Sequence, residues 1–356
     1  MTAERKRKSA SNDRRGADRG KQRSTGSVTL ADVAKLAGVS PITVSRVLNR
    51  PELVTQATID HVREVVERTG YTPNLLAGGL ASNRSRLVAA IVPSITNAIF
   101  VEATQALTDR LWEAGYQVLL GLSGYPAARE DALLAAVLSR RPDAIYLTGI
   151  NHSAQARQRL LAANIPIVET WDLTPTPLDM LVGFSHQEVG RSVARHFLDR
   201  GYKRLGLITA DDERAVVRRK AYVEEVARSG AAPVQIAAVP APSTLALGRQ
   251  ALADLLGRLP KRDWPDAVFC GSDLMAHGVL EEARARGIDV PRKLAIIGFG
   301  GLESTEHTTP QLSTVRIDRH AIGYRAADVI LERIAGRATP NKVIDVGFAI
   351  VDRGTT

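Results

Sequence analysis

The chain has 356 residues, 44% of them hydrophobic, which is enough for one small domain and one or two larger ones, each with its own core. A single cysteine, Cys270, excludes an intramolecular disulfide framework and suits a reducing compartment. No apolar run reaches the roughly 18–20 residues of a membrane span, and the charged start lacks the apolar stretch of a signal peptide, so the composition argues for a cytoplasmic protein.

Residues 1–27 hold nine Lys/Arg against three Asp/Glu, two thirds of the formal charge of +9. With almost no apolar content this tail is expected to be disordered. It is either a cationic arm attracted to a polyanion such as nucleic-acid phosphate or a solvated extension, and the residues leave both open.

From Val28 a helical pattern begins. Thr29-Leu-Ala-Asp32 reads as a capping box, followed by an inward stripe of Val33, Ala34, Leu36 and Ala37. Gly38-Val39-Ser40 breaks that helix, because glycine permits the positive φ of a tight turn. Ser40 caps a second helix that starts at Pro41, where a missing N–H costs nothing. Val44, Val47 and Leu48 face inward, while Pro41, Ile42, Ser45, Arg46 and Asn49 face outward. Thr55 is expected to cap a third helix over Gln56 to Arg68, ended by Gly70. Two short helices joined by such a turn make a helix-turn-helix, whose second helix fits the major groove of DNA.

The run Thr29 to Asn49, with Gly70-Tyr-Thr-Pro-Asn74 and the following Ala77 and Leu80, resembles the DNA-binding headpiece of the LacI/GalR repressor family. The resemblance implies that Pro41, Ile42 and Arg46 read bases. Pro41 and Ile42 offer apolar contact, such as a thymine methyl, and Arg46 can bridge O6 and N7 of guanine or clamp a phosphate. Thr29, Ser40, Thr43, Ser45 and Asn49 are expected to position the backbone. The resemblance also implies that residues 73–86 form a hinge helix and linker. There Asn74 and Ala77 approach the DNA and Leu80 wedges into the minor groove, kinking the duplex. A two-fold operator requires a homodimer.

From Leu87 short apolar runs alternate with helical patterns. Strands are expected at 88–93, 117–122, 144–148, 166–169, 181–184, 205–209, 235–239, 267–271 and 294–299. Helices are expected at 103–114, 129–139, 220–229, 245–259, 274–286 and 319–335. This alternation predicts doubly wound parallel sheets with helices on both faces. The family resemblance implies a periplasmic-binding-protein-like core of two such subdomains, crossed three times by the chain. The expected organisation is therefore a tail at 1–27, an all-α helix-turn-helix domain at 28–72, a hinge at 73–86, and an effector-binding and dimerisation domain at 87–356.

Small ligands bind at the carboxyl ends of parallel strands. The candidates are Ser94, Asn97 and Phe100 after the first strand, Tyr125 after the second, and Glu169 and Asp172 after Ile165-Pro-Ile-Val168. Arg214, Arg218, Asp273 and Gly300 complete the set. Arg218, before Ala221-Tyr222, matches a family position whose guanidinium holds ligand oxygens. Asp273 either touches ligand or caps the helix that begins at Leu274. Sugar-binding members often carry Asp where Gly300-Gly301 stands here. The lack of that carboxylate, with Arg214, Arg218 and Arg219 nearby, favours an anionic ligand. Val182-Gly-Phe184, Asp212-Glu-Arg214, Val268-Phe-Cys270, Gly298-Phe299 before Thr309-Pro310, and Asp345-Val-Gly-Phe348 resemble the gluconate-utilisation repressors, implying gluconate or a close sugar acid as inducer. Glu169 and Asp172 weigh against an anion unless they pair with Arg or accept hydroxyls.

No residue set has the spacing of a catalytic or metal centre, and neither an enzyme nor a cofactor is expected. His152, His186, His277 and His307 read as surface or supporting residues. A periplasmic solute-binding protein would share the second domain but have no use for Thr29 to Leu80. A regulator of the same family that answers to a neutral sugar or another metabolite, or that takes a corepressor, stays open.

Overall fold

The computed structural model describes residues 28–72, 84–96, 98–339 and 341–356. The basic tail, the hinge residues Asn74, Ala77 and Leu80, and Asn97 lie outside the described residues. The chain divides into two compact units between Asn83 and Arg84.

The first unit is built from α1 (Leu30–Leu36), α2 (Pro41–Asn49) and α3 (Gln56–Thr69) around Val33, Ala34, Ala37, Val44, Val47, Ile59, Val62 and Val65. The capping box forms: Asp32 N–H donates to Thr29 Oγ1 at 3.3 Å, and Thr29 N–H donates to Asp32 Oδ2 at 2.9 Å. Gly38 takes φ +63° in the turn, and Ser40 Oγ accepts from Thr43 N–H at 3.2 Å. Three details differ from expectation. Leu36, expected on the inward stripe of α1, is 54% exposed. A 3₁₀ turn, Pro51–Leu53, follows α2, with Pro51 at its first position. Thr55 precedes α3 but does not cap it, because its hydroxyl pairs with the Thr58 hydroxyl at 2.9 Å instead.

The second unit has two lobes. The first lobe holds β1 (Leu87–Val92), β2 (Gln117–Leu122), β3 (Ala144–Thr148), β4 (Ile167–Thr170), β5 (Met180–Gly183) and β11 (Val343–Asp345), ordered β11-β5-β4-β3-β1-β2 and parallel throughout. The second holds β6 (Leu205–Ala210), β7 (Gln235–Val239), β8 (Ala267–Cys270), β9 (Ala295–Gly300), β10 (Ser313–Arg316) and β12 (Ala349–Val351), ordered β12-β10-β9-β8-β6-β7, with only β12 antiparallel. The inner strands β3, β4, β5, β6, β8 and β9 are buried almost residue for residue, as sheets covered on both faces must be. The helices are α4 (Ala98–Glu113), α5 (Ala127–Leu138), α6 (Ala154–Ala163), α7 (His186–Asp199), α8 (Glu213–Arg228), α9 (Leu245–Arg258), α10 (Asp273–Ala285) and α11 (Arg319–Ile334). The chain crosses between lobes three times: after β5, after β10, and between β11 and β12.

Five strands and helices escape the sequence pattern: β10, β11, β12, α6 and α7. β11 and β12 are three residues each, too short to show a period, and exist by pairing with β5 and β10. α6 and α7 are full helices. Gly190 interrupts α7's propensity but allows contact with α8, since a Cβ there would lie 2.3 Å from Arg218 O. α8 starts at Glu213 rather than near Lys220, because Asp212 caps it by accepting from Ala215 N–H at 3.2 Å. That earlier start puts Arg214 and Arg218 one turn apart on one helix face.

Candidate functional site

In the first unit the outward face of α2 is the candidate reading surface. Pro41, Ile42, Arg46 and Asn49 are exposed, and Thr43 and Ser45 are half-buried. Ile42, 65% exposed at the head of a helix, is an apolar group awaiting an apolar partner. Thr29 and Ser40 are committed to capping, and Asn49 Nδ2 donates to Ser45 O at 2.9 Å. Arg46 is the long, charged donor of this face. Replacing it with Ala should cost roughly 1–3 kcal/mol on the preferred duplex, about 5- to 150-fold, and much less on random DNA. Fluorescence anisotropy on both duplexes checks this; equal weakening on the two would make Arg46 a phosphate clamp.

In the second unit five segments meet between the lobes. Phe100 on α4 packs edge-on against Trp171 after β4, at 5.0 Å between ring centroids. Trp171 meets Phe184 at 6.3 Å, and Phe184 meets Phe299 at 6.1 Å. Two guanidiniums lie on this aromatic row: Arg214 over Phe100 at 5.3 Å and Arg218 over Phe299 at 4.1 Å. Arg218 is 6% exposed. Its Nη1 lies 2.9 Å from His186 Nδ1, and its Nη2 donates to Gly271 O at 3.4 Å. Among the described residues no carboxylate lies within 4.0 Å of a guanidinium nitrogen of Arg214 or Arg218, although Asp212 and Asp172 act on Arg218 from farther off. Burial lowers the Arg218 guanidinium to about 10, against the pull of Asp212 and Asp172, so it stays charged at neutral pH. Asp172 is also buried, and burial raises its carboxyl above the usual range despite Leu173 N–H and the two arginines.

The remaining candidates have other partners. Glu169 is 1% exposed; its Oε2 accepts from Leu178 N–H at 2.6 Å and its Oε1 lies 3.3 Å from His152 Nε2. Asp273 is fully buried and accepts from Thr314 Oγ1 at 2.6 Å and Leu302 N–H at 2.7 Å, while Ser272 rather than Asp273 caps α10. Both carboxylates thus hold loops of their own lobe. The Gly300 carbonyl accepts from Arg319. Ser94 closes a turn with Thr96 and, with Phe100, borders a groove against β2. Tyr125 lies half-buried in the loop after β2. Trp171, His186 and Phe299 also line this row; from sequence His186 reads as a surface or supporting residue, Phe299 enters only through its motif and Trp171 not at all, whereas all three are buried. The sole signal for His186 was its place just after the Val-Gly-Phe-Ser run that leaves β5.

His152 forms a second buried charge cluster. Its Nδ1 lies 2.6 Å from Glu130 Oε1. Burial alone would lower the imidazole, but the hydrogen bond to Glu130 and the adjacent Glu169 carboxylate outweigh it and raise it from 6.5 to about 9. The charged ring should stabilise the core by on the order of 3 kcal/mol up to about pH 6.5, and lose that contribution as pH rises through about 9. Urea midpoints between pH 6 and 9.5 should fall in the wild type and stay nearly level in His152→Gln. A level wild-type curve refutes the assignment.

Residues 29–74 match the profile of bacterial regulatory proteins of the lacI family, and residues 194–356 match a periplasmic binding protein-like domain. The HTH-type transcriptional regulator GntR of Pseudomonas aeruginosa is 37% identical over 336 residues, covering 94% of this chain and 97% of the relative.

The chain belongs to the LacI family.

GntR of Escherichia coli K12 is 31% identical over 92% of this chain and 98% of its own length. A solved LacI-family transcriptional regulator from Silicibacter pomeroyi superposes with a TM-score of 0.86 at 34% identity, covering 92% of this chain and 99% of that one. This LacI-family protein is therefore a DNA-binding transcriptional regulator with an all-α helix-turn-helix domain and a two-sheet, mostly parallel α/β ligand-binding core. Regulators of the family bind operator DNA as dimers and respond to a small-molecule effector.

Proposed function

We propose that this LacI-family regulator is a homodimeric repressor released from a two-fold operator by a small sugar acid, with gluconate the first candidate. The observation that carries the reading is Arg218. It is a buried guanidinium, beside a second cation, with no carboxylate among the described residues in direct ion-pair contact. A buried charge left unpaired is costly, and an incoming carboxylate supplies the partner. Asp172 would accept hydrogen bonds from the polyol hydroxyls, and Phe100, Trp171 and Phe299 would cover its apolar faces. Residues 28–72 would read the operator with Ile42 and Arg46, residues 73–86 with Asn74, Ala77 and Leu80 would join the domains, and residues 87–356 would bind effector and dimerise. Such a protein acts in the cytoplasm, where its DNA lies, and needs no catalysis.

Effector can shift operator affinity only by its differential affinity for the two states of the core. The test is a thermal-shift screen of the full chain against gluconate, ketogluconates, hexuronates and neutral sugars, followed by operator titration with the best ligand. Stabilisation by acids alone, with weaker operator binding, is the expected result. A neutral sugar as the best ligand would overturn the anion assignment, and tighter operator binding would make the ligand a corepressor.

A further inference from the structure

We propose that His186 is a positioning residue: a neutral imidazole, protonated at Nε2, that fixes which edge of Arg218 is offered to the effector and ties that edge to Trp171 of the opposite lobe. The inference rests on the reading of Arg218 as the anion-holding group.

The chemistry of the three partners leaves one tautomer. A guanidinium has donors only, so His186 Nδ1, 2.9 Å from Arg218 Nη1, must accept and carries no proton. A carbonyl only accepts, so Nε2, 2.7 Å from Trp171 O, must donate and carries the proton. An imidazolium would place an N–H against the guanidinium. The charged groups that face the ring are Arg218 and Arg214, both cations on α8; burial and these two hold the ring well below its ordinary value, so it stays neutral. Phe184 and Phe299 flank the buried ring, with centroids 4.6 and 6.0 Å away.

The two ends of this bridge have different tasks. At one end, His186 and the Gly271 carbonyl pin both terminal nitrogens of Arg218 while Phe299 supports its plane. A long, flexible side chain is thereby held in one pose before ligand arrives, which removes an ordering cost from binding. At the other end is Trp171, which holds φ +71°, a left-handed conformation rare for a bulky residue. Strain of this kind persists where neighbours over-determine it. Here Trp171 N–H donates to Val182 O, its indole donates to Tyr146 Oη, and its carbonyl accepts from His186. His186 itself is the first residue of α7, directly after the chain leaves the first lobe. One ring therefore joins the effector-facing cation to the strained turn that carries Asp172.

Two substitutions separate the two bonds. His186→Asn places an amide oxygen where Nδ1 was and can still accept from Arg218. His186→Gln reaches to the place of Nε2 and can still donate to Trp171 O, but leaves Arg218 without its acceptor. Calorimetric titration of the full chain with gluconate at pH 6, 7 and 8 should give flat affinity for the wild type. His186→Asn should stay within about threefold and His186→Gln should fall by about tenfold or more. A Gln variant that binds as tightly as the wild type, or an Asn variant as weak as Gln, overturns the proposal. Should the variants misfold, or should gluconate fail to bind the wild type, ¹⁵N spectra of the wild-type ring decide the matter without ligand. Assigned by the peak lost in a folded variant or by its contacts to Phe184, the ring should show an unprotonated Nδ1 and a protonated Nε2, unchanged from pH 5.5 to 8.5. The opposite tautomer, or a titration in that range, refutes it. Failure of the sugar-acid reading looks different: no acid binds the wild type, or Arg218→Met binds as well as the wild type.

Discussion

Arg218→Met should leave a regulator that still holds its operator but no longer answers to gluconate. Arg218 is 6% exposed, and its charge is matched by two neutral acceptors and an aromatic face rather than by a carboxylate. Removing a buried, charge-assisted partner from a bound carboxylate costs about 2–4 kcal/mol, roughly 30- to 1000-fold in effector affinity. The same change should not destabilise the ligand-free core. Methionine fills much of the volume without a desolvated charge, so the melting temperature should hold or rise. That combination of lost ligand binding and kept stability separates a binding residue from a packing residue. Unchanged gluconate affinity in this variant would place the anion elsewhere.

Gly323→Val should cost the core about 3 kcal/mol or more. Gly323 lies on α11 against α4, and a Cβ there would fall 1.9 Å from Ala103 O and 2.9 Å from Leu107 N. Both are backbone atoms of a helix, so no rotamer change relieves the overlap and the two helices must part. α4 carries Ile99 and Phe100 into the inter-lobe core, so separation also opens the aromatic row. Trp112, Trp171 and Trp264 all lie in the second unit, so tryptophan fluorescence in urea reports this transition without interference from the helix-turn-helix. Gly257→Ala is the control. Nothing lies within 4 Å of its added Cβ, and the helix should gain up to about 1 kcal/mol. A Gly323→Val midpoint equal to the wild type would mean that the helix approach is softer than described.

The degree to which sequence anticipates structure differs sharply between the two surfaces. The helix-turn-helix is written within about forty residues. Its cap, its turn glycine and its inward stripe are all neighbours along the chain, and Thr29, Gly38, Ser40 and Val44 take their expected places. The failure at Thr55 is instructive: a hydroxyl at the right position found a nearer partner in Thr58. The nine strands from β1 to β9 were also legible, since burial on both faces demands continuous apolar runs, but β10 to β12, α6 and α7 were not.

The candidate effector site was legible only in part. Arg214, Arg218, Phe100 and Asp172 were identifiable as charged or aromatic residues beyond strand ends, and the fold brings them together. Glu169 and Asp273 sit equally well in sequence, but their oxygens are taken by His152, Leu178, Thr314 and Leu302, from 9 to 41 positions away. No local pattern encodes which of two carboxylates finds such partners.

What the amino-acid sequence determined by itself is therefore the class of protein: a basic tail, a groove-reading helix pair, and a pair of parallel α/β lobes. Each follows from periodicity and turn chemistry acting over a few residues. What only the tertiary structure decided is the chemistry of the pocket. It decided which guanidinium is buried without an ion pair among the described residues, that His186 bridges Arg218 to a strained Trp171, and that oxygens of Glu169 and Asp273 are bonded within their own lobes. Those outcomes depend on burial and on contacts between distant segments, and desolvation acts on a group only once the fold has enclosed it.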